Sequence, residues 1–157
     1  GITEAGPSYT GLVKSAVGIG TLLAEGIGDT LRVSLTADPV DEVRAGREIL
    51  KSLGLRKEGI DLISCPTCAR TKIDLLKIVE EAQQILHDKR SNLTIAIMGC
   101  AVNGPGEAKE ADFGIAGGDG EGLLFSKGQI LRKVPEEDLL QALLEEIDHY
   151  EDGECNA

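Results

Sequence analysis

Two amphipathic patterns of different period open the chain. Residues 31–36 alternate, with Leu31, Val33 and Leu35 on one face and Arg32, Ser34 and Thr36 on the other, which predicts a strand. Ahead of it, Gly1-Ile2-Thr3-Glu4 reads as the end of an earlier strand. Behind Pro7-Ser8, Leu12, Val13, Ala16, Val17, Leu22 and Leu23 recur at near-helical spacing, although Gly18, Gly20, Gly26 and Gly28 argue for tight packing or an early end. Asp38, Pro39 and Asp41 mark a helix start: an N-cap, a proline at the first position and an acidic first turn. Val40, Val43, Leu50 and Leu53 would form its apolar stripe, and Gly54 stops it. Residues 1–58 therefore predict strand, helix, strand, helix. Two parallel strands leave apolar faces open, so a (β/α) barrel is the architecture that would use this unit.

After Arg56-Lys57-Glu58-Gly59 the pattern changes. A short strand, Ile60 to Ser64, runs into Cys65-Pro66-Thr67-Cys68, and Ile73, Leu76, Val79, Ala82 and Leu86 mark a helix of about five turns. Leu93 to Met98 is a buried strand ending in Gly99-Cys100. The breakers Asn103-Gly104-Pro105-Gly106 make the next stretch a shaped loop. Phe113 to Ala116, Leu123 to Ser126 and Gln129 to Lys133 predict further strands, the last two joined as a hairpin at Lys127-Gly128. Pro135 opens a final helix with Leu139, Leu140, Leu143, Leu144 and Ile147 on one face, followed from about residue 150 by an acidic tail expected to be flexible. Residues 59–157 thus read as a second, small α/β domain.

Composition sharpens this division. The 157 residues carry 16 Lys and Arg against 27 Asp and Glu, a net charge of −11, which argues against a nucleic-acid surface or an anionic membrane as partner. The first 58 residues hold 7 basic and 8 acidic side chains, whereas the rest hold 9 and 19, so the acidity belongs to the second domain. No run approaches the roughly 18 apolar residues of a membrane span, and no signal-peptide pattern opens the chain, so the cytoplasm is the expected compartment. The first residue is Gly1 rather than Met and leads at once into an apolar stretch, which points to a portion of the protein upstream.

Chemistry enters with the cysteines. Two residues separate Cys65 from Cys68, 31 separate Cys68 from Cys100, and 54 separate Cys100 from Cys155. Four cysteines in a chain of this type are poor material for structural disulfides. Cys65 and Cys68 stand at a strand-to-helix junction and Cys100 directly after a strand, so neighbouring parallel strands would bring three thiols to one sheet edge. Three thiolates invite a soft metal. For the fourth ligand, Glu107 is separated from Cys100 by six residues of a glycine-rich loop, whereas Cys155 sits in the tail; a carboxylate would leave one metal ion more open to exchange. The alternatives are a zinc-held interaction module using Cys65, Cys68, Cys100 and Cys155, and a Cys-x-x-Cys redox pair, which leaves Cys100 unexplained. His87 and His149 read as solvated residues near helix ends. On the first domain, Arg32 beside Ser34 could bind a phosphate oxygen or form a barrel-lining salt bridge, and Glu4 could be an inward-facing acid or a helix cap.

Taken together, Gly1-Ile2-Thr3-Glu4-Ala5-Gly6, Asp29-Thr30-Leu31-Arg32-Val33-Ser34-Leu35, Cys65-Pro66-Thr67-Cys68 and Gly99-Cys100-Ala101-Val102-Asn103-Gly104-Pro105-Gly106-Glu107 resemble the C-terminal part of the hydroxymethylbutenyl diphosphate synthase family, IspG or GcpE. The match runs in order from Gly1 to about Gly118; beyond that it is one of general pattern. The resemblance implies an α/β chain comprising the last two strand–helix units of a TIM-type barrel, residues 1–58, followed by a small iron-sulfur domain with a mixed sheet. It implies a 4Fe-4S cluster on Cys65, Cys68, Cys100 and Glu107, a contact to substrate from Asn103, diphosphate binding by Arg32 and Ser34, and Glu4 as candidate proton donor. The implied reaction is reductive ring opening and dehydroxylation of methylerythritol cyclodiphosphate to hydroxymethylbutenyl diphosphate in the non-mevalonate isoprenoid pathway, with single electrons from a ferredoxin or flavodoxin. It further implies a homodimer whose active site joins the barrel of one subunit to the cluster domain of another, so the 157-residue chain alone is expected to be inactive.

Overall fold

The computed structural model describes residues 1–87, 89–102 and 104–155, the side chains of 152, 154 and 155 excepted. The chain divides into two compact units, Gly1–Glu58 and Gly59–Ala157.

In the first unit two helices, α1 (Ser8–Ala24) and α2 (Pro39–Ser52), form as the pattern predicts. Asp38 caps α2 by accepting a hydrogen bond from the Val40 amide at 2.8 Å, with Pro39 in the first turn. The two predicted strands do not become strands. The parallel pairing of the two segments is limited to a single bridge just past the first, between Pro7 and Thr36, where the Thr36 amide donates to the Gly6 carbonyl at 2.9 Å. A parallel pair standing alone has too few ladder bonds to hold a regular ribbon. The alternation at residues 31–36 survives nonetheless. Val33 is buried with Ile19, Ala45 and Ile49, and Leu31 and Leu35 pack against the same cluster, so Arg32, Ser34 and Thr36 alternate onto the side away from the helices.

The buried face of α2 differs from the predicted stripe. It consists of Ala45, Gly46 and Ile49, while Val40 and Val43 are exposed. Small residues win because they let the extended segment approach: a Cβ at Gly46 would lie 2.9 Å from Leu31 Cδ1. On α1, Ser15 is fully buried, and its hydroxyl has no hydrogen-bond partner among the described residues.

The second unit holds a five-stranded mixed sheet in the order β1-β2-β3-β4-β5: β1 (Asp61–Ser64), β2 (Thr94–Met98), β3 (Phe113–Ala116), β4 (Glu121–Ser126) and β5 (Gln129–Pro135). The first three strands are parallel, and β4 and β5 complete the sheet antiparallel. The predicted hairpin forms, with Lys127 and Gly128 both at positive φ, 48° and 76°, as a two-residue primed turn requires. Helix α3 (Leu75–Leu86) has 12 residues rather than five full turns, because Asp74 caps it by accepting from the Lys77 amide. A short helical turn, α4 (Gly104–Glu107), follows β2. After a 3₁₀ turn at Glu136–Asp138, α5 (Leu139–Cys155) continues through part of the stretch expected as a tail.

Strand parity sorts the core into two layers. Ile95, Ile97, Ile115 and Leu124 face α3 and α5, where they meet Leu75, Ala82, Leu86, Leu139, Leu143 and Ile147. Each fully buried aliphatic side chain contributes about 1.5–3 kcal/mol. Ala96, Met98, Ala116 and Phe125 face the other way, covered by Ala108 and Ala111 from the segment after α4. The last turns of α5 are fastened by polar contacts: Lys89 Nζ lies 2.7 Å from Asp148 Oδ1 and 2.6 Å from Glu151 Oε2, and the Ser91 hydroxyl donates to Glu151 Oε1 at 2.5 Å. The Lys89 ammonium and the Ser91 hydroxyl hold the Glu151 carboxyl below its ordinary range, and Asp148 and Glu151 raise Lys89 above its own. No helix among the described residues is long and apolar enough to cross a membrane.

Two outcomes follow for stability. Ser15→Ala removes an unsatisfied buried hydroxyl and should stabilise the protein by about 1 kcal/mol in urea denaturation; a loss would show that the hydroxyl has a partner. Because the Glu151 value is lowered on folding, its contribution is present above the ordinary carboxylate range and lost as pH falls through the folded value. Glu151→Gln should therefore cost about 1 kcal/mol at pH 7, shrinking toward zero below about pH 4. An equal cost at both pH values would contradict this account of the clamp.

Candidate functional site

The parallel register places the cysteines. Ser64 pairs with Ile97, so Cys65 leaves β1 just where Met98 and Gly99 end β2, and Cys100 follows. The Gly99 amide donates to the Cys65 sulfur at 3.2 Å, a direct bond between the two strand ends. β3 ends beside them, with the Gly117 amide donating to the Met98 carbonyl at 2.8 Å. The carboxyl ends of parallel strands are the usual edge for a site in such sheets, since the backbone there turns away and leaves polar groups unpaired.

Cys65 and Cys100 are half-buried and Cys68 is exposed; all three are free thiols. The Cys68 thiol is pulled below its usual range, first by the backbone N–H of Arg70, then by the Thr71 hydroxyl and the Arg70 guanidinium. The Cys68 amide in turn donates to Thr71 Oγ1 at 3.1 Å. N–H donors around the sulfurs and a cation beside one of them favour thiolates, so this donor set fits a soft metal or an iron-sulfur group.

The loop after Cys100 is pinned to the sheet. The Gly104 amide donates to the Cys100 carbonyl at 3.1 Å, and a Cβ at Gly104 would lie 2.8 Å from Ala116 Cβ and 2.9 Å from Met98 Cβ. Only glycine permits that approach. Glu107 ends the turn that Gly104 starts, and its side chain is exposed. The structure thus brings Cys65 and the Cys100 turn together through Gly99, and sets Cys68 and Glu107 on the flanking loops. Among the described residues no three Cys, His, Asp or Glu side chains close into a ligand cage. Asn103, and the side chain of Cys155, lie outside the described residues.

On the first unit Glu4 and Arg32 are exposed and Ser34 is half-buried. Arg32 and Ser34 share the side opposite Val33, as the alternation requires. Of the residues that build the site, Thr71 was not named from the sequence, and Gly99 and Gly104 were read as a strand end and a loop breaker rather than as points of close approach. Glycine directly before a cysteine at a strand end is a signal of close backbone approach that could have found Gly99; Thr71 has no such signal.

Two helices linked by extended segments, followed along the chain by a mixed α/β sheet with thiols at the carboxyl ends of its parallel strands, define a two-unit α/β protein with a cysteine-bearing sheet edge. Comparison with known proteins makes this specific. Residues 61–149 match the family model described as the GcpE protein C-terminal domain, and residues 1–47 match that of the GcpE TIM-barrel domain. The chain belongs to the GcpE family. Its relatives include proteins named 4-hydroxy-3-methylbut-2-en-1-yl diphosphate synthase (flavodoxin): that of Geobacter sulfurreducens is 64% identical over 148 residues, covering 94% of this chain and 42% of the relative. The Clostridium perfringens protein is 62% identical over 148 residues with the same coverage of each chain, and the Clostridium acetobutylicum protein is 60% identical over 149 residues, covering 95% and 43%. The chain thus spans about two fifths of the length of these curated relatives.

The exposure and lowered value of Cys68 set an order of reactivity. In the metal-free protein under reducing conditions, iodoacetamide followed by mass spectrometry should label Cys68 before Cys65 and Cys100, with a pH midpoint below the ordinary thiol value of about 8.5. Labelling of Cys65 first would contradict the placement of these loops.

Proposed function

We propose that this chain is part of an enzyme that converts methylerythritol cyclodiphosphate to hydroxymethylbutenyl diphosphate, using Cys65, Cys68, Cys100 and Glu107 to hold a 4Fe-4S cluster. The observation that carries the reading is the joining of the β1 and β2 strand ends through the Gly99 amide and the Cys65 sulfur, in a chain 64% identical to a relative named for this activity. When bound, the cluster would supply single electrons and a Lewis-acidic iron. The protein's own residues do the rest.

Arg32 and Ser34 project from the side of their segment opposite the helix-facing Val33 and bind the diphosphate, the guanidinium through paired N–H donors and the serine through its hydroxyl. Glu4 supplies the proton that lets the departing hydroxyl leave as water. Asn103 contacts substrate from the loop between Cys100 and Gly104. The Gly104 contact with Ala116 and Met98 keeps the start of α4 on the sheet, so Glu107 follows an anchored residue.

The names of the relatives support a flavodoxin as electron donor, with a ferredoxin as the other candidate. Both kinds of donor are commonly acidic, and the second unit is acidic as well, yet Arg70 and Lys72 are exposed close to Cys68 and give that edge the opposite sign. A homodimer in the whole enzyme and a cytoplasmic location complete the proposal; the three free thiols suit a reducing compartment.

Anaerobic reconstitution of the full-length protein with metal analysis tests the reading. Four irons per chain are expected, lost when Cys65, Cys68 or Cys100 is changed to Ser and retained in Cys155→Ser. Arg32→Ala should raise KM for the cyclic diphosphate roughly tenfold to a hundredfold, the worth of a charged hydrogen bond. A colourless protein holding one zinc in dependence on Cys155 would replace the enzyme by the zinc-held module.

A further inference from the structure

No regular element holds the Cys65-Pro66-Thr67-Cys68 loop, since β1 ends at Ser64 and α3 begins at Leu75. A single side chain between them does much of the fastening. Thr71 Oγ1 accepts from the Cys68 amide at 3.1 Å, and the Thr71 amide donates back to the Cys68 carbonyl at 3.0 Å, closing a four-residue ring on Cys68. The same side chain lies against bare backbone: a Cβ on Gly99 would stand 2.9 Å from Thr71 Oγ1 and 3.0 Å from its Cγ2. The neighbouring Lys72 amide donates to the Gly99 carbonyl at 2.9 Å and locks this approach.

Gly99 is where the other two cysteines meet. Its amide donates to the Cys65 sulfur, and its carbonyl carbon is bonded to the nitrogen of Cys100. Thr71 is therefore connected to all three cysteines, to the Cys68 backbone by reciprocal hydrogen bonds and to Cys65 and Cys100 through Gly99. A threonine suits this place because its branched Cβ holds hydroxyl and methyl in fixed directions, both against Gly99 and the hydroxyl also within reach of the Cys68 amide.

We propose that Thr71 is a positioning residue for the metal-binding set, its hydroxyl fixing the Cys68 amide and its hydroxyl and methyl together seated on Gly99. The proposal rests on the cluster reading given above. Groups that orient ligands without touching the metal set affinity, because each ligand must otherwise be ordered at the moment of binding. Valine keeps the shape and loses the acceptor; serine keeps the acceptor and loses the methyl.

Thr71→Val and Thr71→Ser in the full-length protein separate these contributions. Amide hydrogen exchange at Cys68 in the metal-free protein reads the hydrogen bond without any cluster, and anaerobic cluster loss to an iron chelator reads ligand positioning. Thr71→Val should exchange Cys68 faster and lose its cluster roughly 10- to 100-fold faster, with a melting temperature near that of the wild type. Thr71→Ser should restore slow exchange and most of the cluster lifetime. Wild-type exchange and cluster lifetime in the valine variant would overturn the proposal, as would a serine variant that behaves like valine. If valine prevents folding, rescue of both readouts by serine still decides. A wild-type protein that takes up no iron fails the cluster reading instead, and exchange at Cys68 then judges the role of Thr71 by itself.

Discussion

Parallel pairing of β1 with β2 is the constraint from which the thiol edge follows. With Ser64 opposite Ile97, two strands end at the same level, and the first residues beyond them are Cys65 on one and Gly99-Cys100 on the other. A one-residue slip would exchange the two faces of β2, turning Ile95 and Ile97 out of the helix-facing core and Ala96 and Met98 into it. The core therefore enforces the register, and the register places the cysteines. The amide of Gly99 on the Cys65 sulfur is the point where packing becomes chemistry.

The edge itself is built differently from the core. Behind it, β2 is wholly buried from Ile95 to Met98 and backed by α3 and α5, a rigid support. At it, the side chains of Thr71 against Gly99 and of Ala116 and Met98 against Gly104 leave these glycines no room for one of their own. Two connections, between β1 and α3 and between β2 and β3, then carry the three cysteines and Glu107, each tied by a few hydrogen bonds rather than a ladder. Such loops are cheap to reorder and can close on a ligand, whereas strands could not move without unpacking the sheet.

How much of this was legible in the sequence depends on the range of the interaction. The cap at Asp38 with Pro39, the Lys127-Gly128 hairpin and the buried β2 are local patterns and form where expected. The expected parallel neighbours likewise form, with Cys65 and Gly99-Cys100 directly after their ends. What failed was tertiary. Residues 1–4 and 31–36 carry strand-like sequence, yet a strand needs neighbours and these segments have only each other. The stripe of α2 was misread because larger apolar residues, Val40 and Val43, outweighed Ala45 and Gly46 in the pattern, whereas close approach to Leu31 and Val33 selected the small ones. Thr71 was invisible because its role arises from contact with Gly99, 28 positions away.

The central claim is that three thiols on this sheet edge and one carboxylate, Glu107, form a single ligand set. Mössbauer spectroscopy of the anaerobically prepared, ⁵⁷Fe-enriched full-length protein tests it most directly, because iron bound by oxygen differs from iron bound only by sulfur. The account predicts a four-iron cluster in which one iron is distinct from the other three, and in which that distinction vanishes in Glu107→Cys. Four equivalent thiolate-bound irons in the unaltered protein, or no iron signal from a correctly folded chain, would contradict it.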